Sequence, residues 1–118
     1  MSYTVKWFEI IASDFERAVS FYQSLFGIEL EKCICGEEKM AFFPGKTGSI
    51  STAPGFLPSE QGVVIYFNSD NLDKTLSKVE KLGGKIIWGK TKIEAEGKGS
   101  FILVSDSEGN RIGFHSDN

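Results

Sequence analysis

The fold is decided by the stretch Ser13-Asp14-Phe15-Glu16-Arg17-Ala18-Val19-Ser20-Phe21-Tyr22, which continues through Leu25-Phe26 to Gly27. Its apolar residues recur at helical spacing and form one stripe; they are Phe15, Ala18, Val19, Tyr22, Leu25 and Phe26. Ser13 with Glu16 fits a capping box, and Asp14 is an alternative N-cap. Gly27 is a natural stop because glycine tolerates the left-handed conformation that ends helices. The stretch therefore predicts an amphipathic helix.

Strand-like segments surround this helix, and the same order recurs around a second one. Residues 5–12 precede the first helix, and segments 28–34, 39–43 and 48–53 follow it. Residues 63–67 precede a helix that begins at Asp70-Asn71 and ends at Gly83-Gly84; segments from 85 to 88 or 93, 100–105 and 111–115 follow. Asp14 and Asp70 lie 56 residues apart. The repeated order predicts an internal duplication. The expected class is α+β, with tandem βαβββ modules at about 1–54 and 62–118 and a linker at about 55–61.

Length and composition restrict the function classes. The chain has 118 residues, 41% hydrophobic and 25% charged, which suits one globular domain. Its net charge of −3 offers no basic surplus for nucleic acid. The longest apolar run, Val63–Phe67, is too short for a membrane span or a secretory signal. We therefore expect a cytoplasmic protein with no nucleic-acid or membrane partner.

The two cysteines, Cys33 and Cys35, are separated by one residue. On a strand they would share a face, and a disulfide between them would be strained. The expectation is two free structural thiols. A redox or soft-metal role has little support in the sequence, because no second Cys or His cluster exists.

Three motifs carry a family resemblance over essentially the whole chain. They are the helix quoted above, Leu82-Gly83-Gly84-Lys85, and the hairpin Asp106-Ser107-Glu108-Gly109-Asn110-Arg111-Ile112-Gly113. In this order the chain resembles the vicinal oxygen chelate superfamily, which includes glyoxalase I, extradiol dioxygenases, methylmalonyl-CoA epimerase, fosfomycin resistance enzymes and bleomycin-binding proteins. It is most similar to small stand-alone bacterial glyoxalase-related members. The resemblance implies a curved mixed sheet whose modules pair, within a chain or across a homodimer, to enclose a ligand cleft with helices outside.

The resemblance also implies metal ligands, His and Glu, on the first and last strands of each module. Carried over one by one, three of these positions hold Trp7, Val64 and Gly113, and the fourth falls around residues 49–52. No acid or His occurs between Lys39 and Pro58, and the chain has one His. Indole, isopropyl and hydrogen cannot coordinate a metal. We therefore predict that the chain binds no family-type metal and no cofactor. Glyoxalase activity then does not follow from the fold.

Strand alternation predicts which side chains would face the cleft. The inward set has aromatic walls, a few polar groups and small residues that leave room: Trp7, Glu9, Tyr66, Arg111 and His115, with Ser49, Ser51 and Gly113. Trp88 is a further possible wall. For most of these residues a purely structural role remains an alternative. Trp7 can be core packing, Glu9 a partner in a structural ion pair, His115 a solvated terminal residue, and Trp88 a cap on the core.

Two functions are compatible with such a cleft. The first is metal-independent binding of an aromatic or planar small molecule, as in the bleomycin-resistance type, with Trp7, Glu9, Ser51, Tyr66, Arg111 and His115 as ligand-binding residues. The second is a lyase or isomerase acting on a carbonyl or carboxylate substrate, with Glu9 and His115 as candidate catalytic residues and Arg111 as an anion partner. A third hypothesis is a protein–protein or regulatory module whose cleft is vestigial.

Overall fold

A computed structural model describes residues 5–94 and 97–117. The chain divides into two compact units, Met1–Pro58 and Ser59–Asn118, each of which is described by itself. No helix in the described part is long and apolar enough to cross a membrane.

Unit one contains four strands and one helix. The elements are β1 (Phe8–Ile11), α1 (Phe15–Phe26), β2 (Glu31–Cys35), β3 (Glu38–Phe42) and β4 (Gly48–Thr52). The strand order is β1-β4-β3-β2, with β1 parallel to β4 and the other pairs antiparallel. This sheet is called sheet one. Strand β2 is one of its edges.

The ends of α1 follow the sequence. The Asp14 side chain accepts a hydrogen bond from the Arg17 backbone N at 3.1 Å, so Asp14 is the N-cap. Gly27 ends the helix with φ 65°, the left-handed conformation that glycine adopts without a Cβ penalty. The predicted stripe is buried except for Phe26. Phe43 links the helix to the sheet, with its ring centroid 6.0 Å from that of Tyr22.

Unit two repeats this arrangement. Its elements are β5 (Ile65–Asn68), α2 (Leu72–Lys81), β6 (Lys85–Lys92), β7 (Ser100–Ser105) and β8 (Arg111–Ser116). The strand order in this sheet, sheet two, is β5-β8-β7-β6, and only the β5–β8 pair is parallel. The two four-stranded mixed sheets with their helices confirm the α+β class and the duplicated βαβββ order.

One predicted boundary in unit two is narrowed to a single residue, and another is wrong. The N-cap of α2 is Asn71, whose side chain accepts from the Lys74 backbone N at 3.1 Å, rather than Asp70. The two caps therefore lie 57 rather than 56 residues apart. Strand β5 begins at Ile65, and Val63, which the apolar run places in the strand, is 95% exposed. Val63 precedes the first residue that pairs with β8.

The hairpin between β7 and β8 is organised by one buried carboxylate. Asp106 is 4% exposed. Its side chain accepts hydrogen bonds from the backbone N of Glu108 (2.8 Å) and of Asn110 (2.9 Å), and from Asn110 Nδ2 (3.1 Å). Gly109 follows with φ 88°. These contacts show a turn fixed by an Asp side chain, as its composition indicates.

Candidate functional site

In each unit the helix covers one face of the sheet and leaves the other without a helix of that unit. In sheet one, Phe8 lies on the helix side, with its ring 5.5 Å from that of Phe43. Glu9 and Ile11 therefore lie on the opposite, helix-free face, because successive side chains alternate. Their register partners on β4, Ser49 and Ser51, share that face. This is the alternation expected from the sequence.

The two serines occupy the middle of the helix-free face of sheet one. Ser49 and Ser51 are 0% and 2% exposed, and their hydroxyl oxygens lie 2.8 Å apart in a hydrogen bond. Ser51, a predicted ligand-binding residue, is therefore buried and already partnered. Glu9, which pairs with Ser49 across the sheet, is exposed.

A pocket of about 420 Å³ lies at one end of unit one. Trp7 and Phe42 provide its aromatic wall, in an edge-to-face contact with centroids 6.0 Å apart. Trp7 remains 40% exposed, so it is not ordinary core packing. The charged lining consists of Glu29, Glu31 and Lys46. The sequence did not predict these three residues or Phe42 as site residues. The β2–β3 register, which pairs Glu31 with Phe42, brings two of them together.

The helix-free face of sheet two carries a row of three rings. Tyr66 pairs with Gly113, which pairs with Leu103, which pairs with Trp88. Phe101 joins the two outer rings, with its centroid 6.1 Å from Tyr66 and 6.0 Å from Trp88. Trp88 is 57% exposed and does not cap a core. Phe101 was not among the predicted residues.

Arg111 and His115 share this face with Tyr66, because both are on β8 at even spacing from Gly113. Arg111 Nε is buried and has no hydrogen-bond partner among the described residues. His115 Nε2 lies 2.5 Å from the carbonyl oxygen of Lys98, which can only accept, so Nε2 donates the proton. His115 Nδ1 is 3.9 Å from an Asp117 carboxylate oxygen. The imidazole is thus hydrogen-bonded within its own unit, with 31% of the side chain exposed.

The positions of the family's metal ligands do not fit a metal. A Cβ added to Gly113 would lie 2.4 Å from two ring carbons of Tyr66, so the Tyr66 ring occupies the space a longer side chain at 113 would need. Ser49 and Ser51 bond each other. Residues 5–94 and 97–117 contain no group of three or more His, Cys, Asp or Glu side chains able to hold a metal ion.

The cysteines are free, as predicted, but they do not pack in a core. Cys33 and Cys35 are both exposed on β2, and their sulfur atoms lie 4.0 Å apart on one face. The hydrogen bond with Cys35 and the charge on Cys35, with smaller effects of desolvation and of Glu31, raise the pKa of the Cys33 thiol above its ordinary value.

This coupling predicts the effect of Cys35→Ala. Removing the neighbouring thiol should lower the pKa of Cys33 and increase its thiolate fraction at neutral pH. Because the thiolate is the nucleophile, the alkylation rate of Cys33 by iodoacetamide should rise. Mass spectrometry after timed quenching measures it. Ile34→Ala, on the other face of β2, should leave the rate unchanged. Slower alkylation of Cys33 in the Cys35→Ala variant would contradict the coupling.

Comparison with known proteins identifies the family. The Glyoxalase/Bleomycin resistance protein/Dioxygenase superfamily profile matches residues 4–114. The chain belongs to this superfamily. A glyoxylase-like domain-containing protein from Didymella fabae is 34% identical in an 89-residue alignment, and the match covers 65% of this chain and 66% of that protein, just under two thirds of its length.

Solved structures of the Glyoxalase/Bleomycin resistance protein/Dioxygenase superfamily share the fold at low identity. A glyoxalase/bleomycin resistance protein/dioxygenase family enzyme from Burkholderia phytofirmans PsJN has a TM-score of 0.73 at 14% identity, covering 97% of this chain and 98% of that one. TnmS3, an antibiotic binding protein from Streptomyces sp. CB03234, has a TM-score of 0.66 at 21% identity, covering 96% and 94%. Enzymes and binding proteins thus share this fold, and the site must decide between them.

Proposed function

We propose that this protein binds a planar aromatic small molecule without the family metal, and that the pocket at Trp7 and Phe42 receives the ring. The observation that carries the proposal is the half-exposed Trp7 indole on the wall of a pocket of about 420 Å³. Pockets for small molecules typically have volumes of about 300–1,000 Å³ and aromatic linings with a few placed polar groups. The exposed part of the indole at such a pocket offers a surface on which a planar ring can stack.

The charges of the pocket favour a ligand with a positive group. Glu29 and Glu31 line it against a single cation, Lys46. On the same face of sheet one, Glu9 adds a third carboxylate. Opposite charge attracts the ligand over the Debye length of about 8–10 Å, and an aromatic face adds cation–π attraction. A flat aromatic cation satisfies both features.

Unit two supplies a second ring surface, and we include Tyr66 and Arg111 in the proposal as ligand-contacting residues. The Tyr66 ring is 47% exposed and contacts Phe101 edge-to-face, and the Arg111 guanidinium can stack on a ring or hold a carboxylate. A cytoplasmic homodimer remains a prediction of the family resemblance.

The lyase or isomerase alternative has no specific contact in its favour. It assigns proton transfer to Glu9 and His115. The His115 ring donates to the Lys98 carbonyl oxygen, so its Nε2 proton is engaged within unit two. The alternative therefore stays a prediction, and a binding protein is the function that the site supports better.

A titration with proflavine, a planar aromatic cation, tests the proposal. Quenching of tryptophan fluorescence and the change in dye absorbance measure the affinity. Trp7→Ala should weaken binding about tenfold, because a stacked ring contributes about 1–3 kcal/mol. Glu31→Gln should weaken it about threefold through the lost attraction across a screened surface. Anthracene-2-sulfonate, a planar anion, should bind more weakly than proflavine.

Two controls make the result specific to the pocket. Trp88→Ala removes the other indole of the chain, which is 57% exposed in unit two and is not part of the pocket, and Glu38→Gln removes a carboxylate of sheet one that does not line the pocket. Both should leave the proflavine affinity within about twofold, as surface changes normally do. Equal losses in Trp7→Ala and Trp88→Ala, or no loss in Trp7→Ala, would contradict the assignment of the ring to this pocket.

A further inference from the structure

A cluster of sulfur atoms lies on sheet one, outside the lining of the Trp7 pocket. Cys33 and Cys35 point to the same face of the edge strand β2, with sulfur atoms 4.0 Å apart. Both side chains are exposed. Exposed thiols contribute nothing to a hydrophobic core, so packing does not explain this pair.

A third sulfur is brought to the pair by the strand register. Met40 on β3 is the register partner of Cys33, and Cys35 is the partner of Glu38. Directly opposed residues of an antiparallel pair have their Cβ atoms about 4.5–5.5 Å apart on the same face. Met40 is half-buried, and its flexible thioether is within reach of the two thiols.

The spacing of the thiols suits a bridging ion better than a disulfide. Alternate residues of a strand have Cα atoms about 6.6 Å apart, near the upper limit for a disulfide, and their side chains run parallel. A metal ion bound at about 2.3 Å from each sulfur can span up to about 4.6 Å. The observed 4.0 Å between the sulfur atoms therefore accommodates one ion without a change in the backbone.

We propose that Cys33, Cys35 and Met40 bind one soft monovalent metal ion of the Cu(I) type. Thiolate and thioether donors select Cu(I) over harder ions. Zn(II) prefers four ligands from Cys, His, Asp and Glu, and the described residues contain no group of even three. In the binding step three S–Cu bonds form, two from the thiolates and one from the neutral Met40 thioether; the two thiol protons pass to solvent, and the previous ligands of Cu(I) leave. Copper stays Cu(I), so no oxidant or reductant is required.

Metal uptake should strengthen as the pH rises, because protons are released. The groups that face the thiols are Glu31 on the same strand and, on β3, Glu38 and Met40.

Anaerobic titration of the reduced full chain with Cu(I), in competition with bicinchoninate, tests the proposal. We expect one Cu(I) per chain and an ultraviolet thiolate-to-copper band. Cys33→Ser and Cys35→Ser should each weaken binding at least about tenfold, the lower range for disturbed metal sites. Met40→Leu, which conserves volume, should cause a smaller loss. Zn(II) should not compete at equal concentration.

A matched variant separates a built site from the general affinity of thiols for copper. Ile34→Cys combined with Cys35→Ser keeps two cysteines but places them on opposite faces of β2, and Ile34 is 57% exposed and tolerant of change. It should lose the tight site while keeping its thermal melting temperature within a few degrees. Copper binding as tight as in the unchanged chain would overturn the proposal. Unchanged affinity in Met40→Leu would overturn the three-sulfur assignment.

Discussion

Asp106→Ala is expected to lower the free energy of unfolding by about 3 kcal/mol. The Asp106 carboxylate accepts hydrogen bonds from the backbone N–H groups of Glu108 and Asn110 and from the Asn110 side-chain amide. Each hydrogen bond to a charged group contributes about 1.5–3 kcal/mol, and a donor left unpaired in a part-buried turn adds its desolvation cost. Some loss is recovered because water reaches the hairpin. Urea unfolding followed by circular dichroism gives the value.

Two further variants test whether the carboxylate itself is responsible. Asp106→Asn keeps one acceptor oxygen and should cost roughly half as much, about 1–2 kcal/mol. Ser107→Ala removes a hydroxyl that donates only to the adjacent Glu108 side chain at 3.1 Å, and should stay within about 0.5 kcal/mol. A cost below about 1 kcal/mol for Asp106→Ala would contradict this account of the turn.

The sequence predicts the fold well where local chemistry decides the structure. The helix α1 has a capping Asp14 and a glycine at position 27, and both act as the pattern indicates. At α2 two adjacent residues, Asp70 and Asn71, can each cap, and composition does not choose between them. Asn71 caps because its side chain reaches the Lys74 backbone N. Local sequence signals thus predict the order of the elements, whereas the residue at which each element begins or ends depends on the backbone geometry.

The candidate site was less predictable because strand register decides it. Alternation alone places Trp7, Tyr66 and Arg111 on the helix-free faces. It does not reveal that Phe42 lies beside Trp7 or that Phe101 joins Tyr66 to Trp88, since both depend on how the hairpins pair. The lining of Glu29 and Lys46 comes from loops next to β2 and β3, whose paths have no periodic signal.

The effect of Gly113→Ala on the free energy of unfolding is expected to change sign when the residue at position 66 is changed. In the unchanged chain the added Cβ would lie 2.4 Å from the Tyr66 ring, so the ring must move, at a cost of about 1–3 kcal/mol. After Tyr66→Ala the same substitution meets no ring. It should then stabilise the chain by up to about 1 kcal/mol, because glycine inside a strand is less favourable than alanine. Urea unfolding of the four chains gives the double-mutant cycle.

The control is Gly89→Ala, on strand β6, where a Cβ would meet nothing within 4 Å. It should be neutral or stabilising in both backgrounds. If Gly113→Ala destabilises the Tyr66→Ala chain as much as the unchanged one, the ring is not the cause. The expected coupling bears on function, because position 113 is where the family resemblance implies a metal-binding Glu. A ring that excludes even a methyl group there excludes that carboxylate as well. The chain then keeps the superfamily fold with an aromatic ring, rather than a carboxylate, beside this position of sheet two.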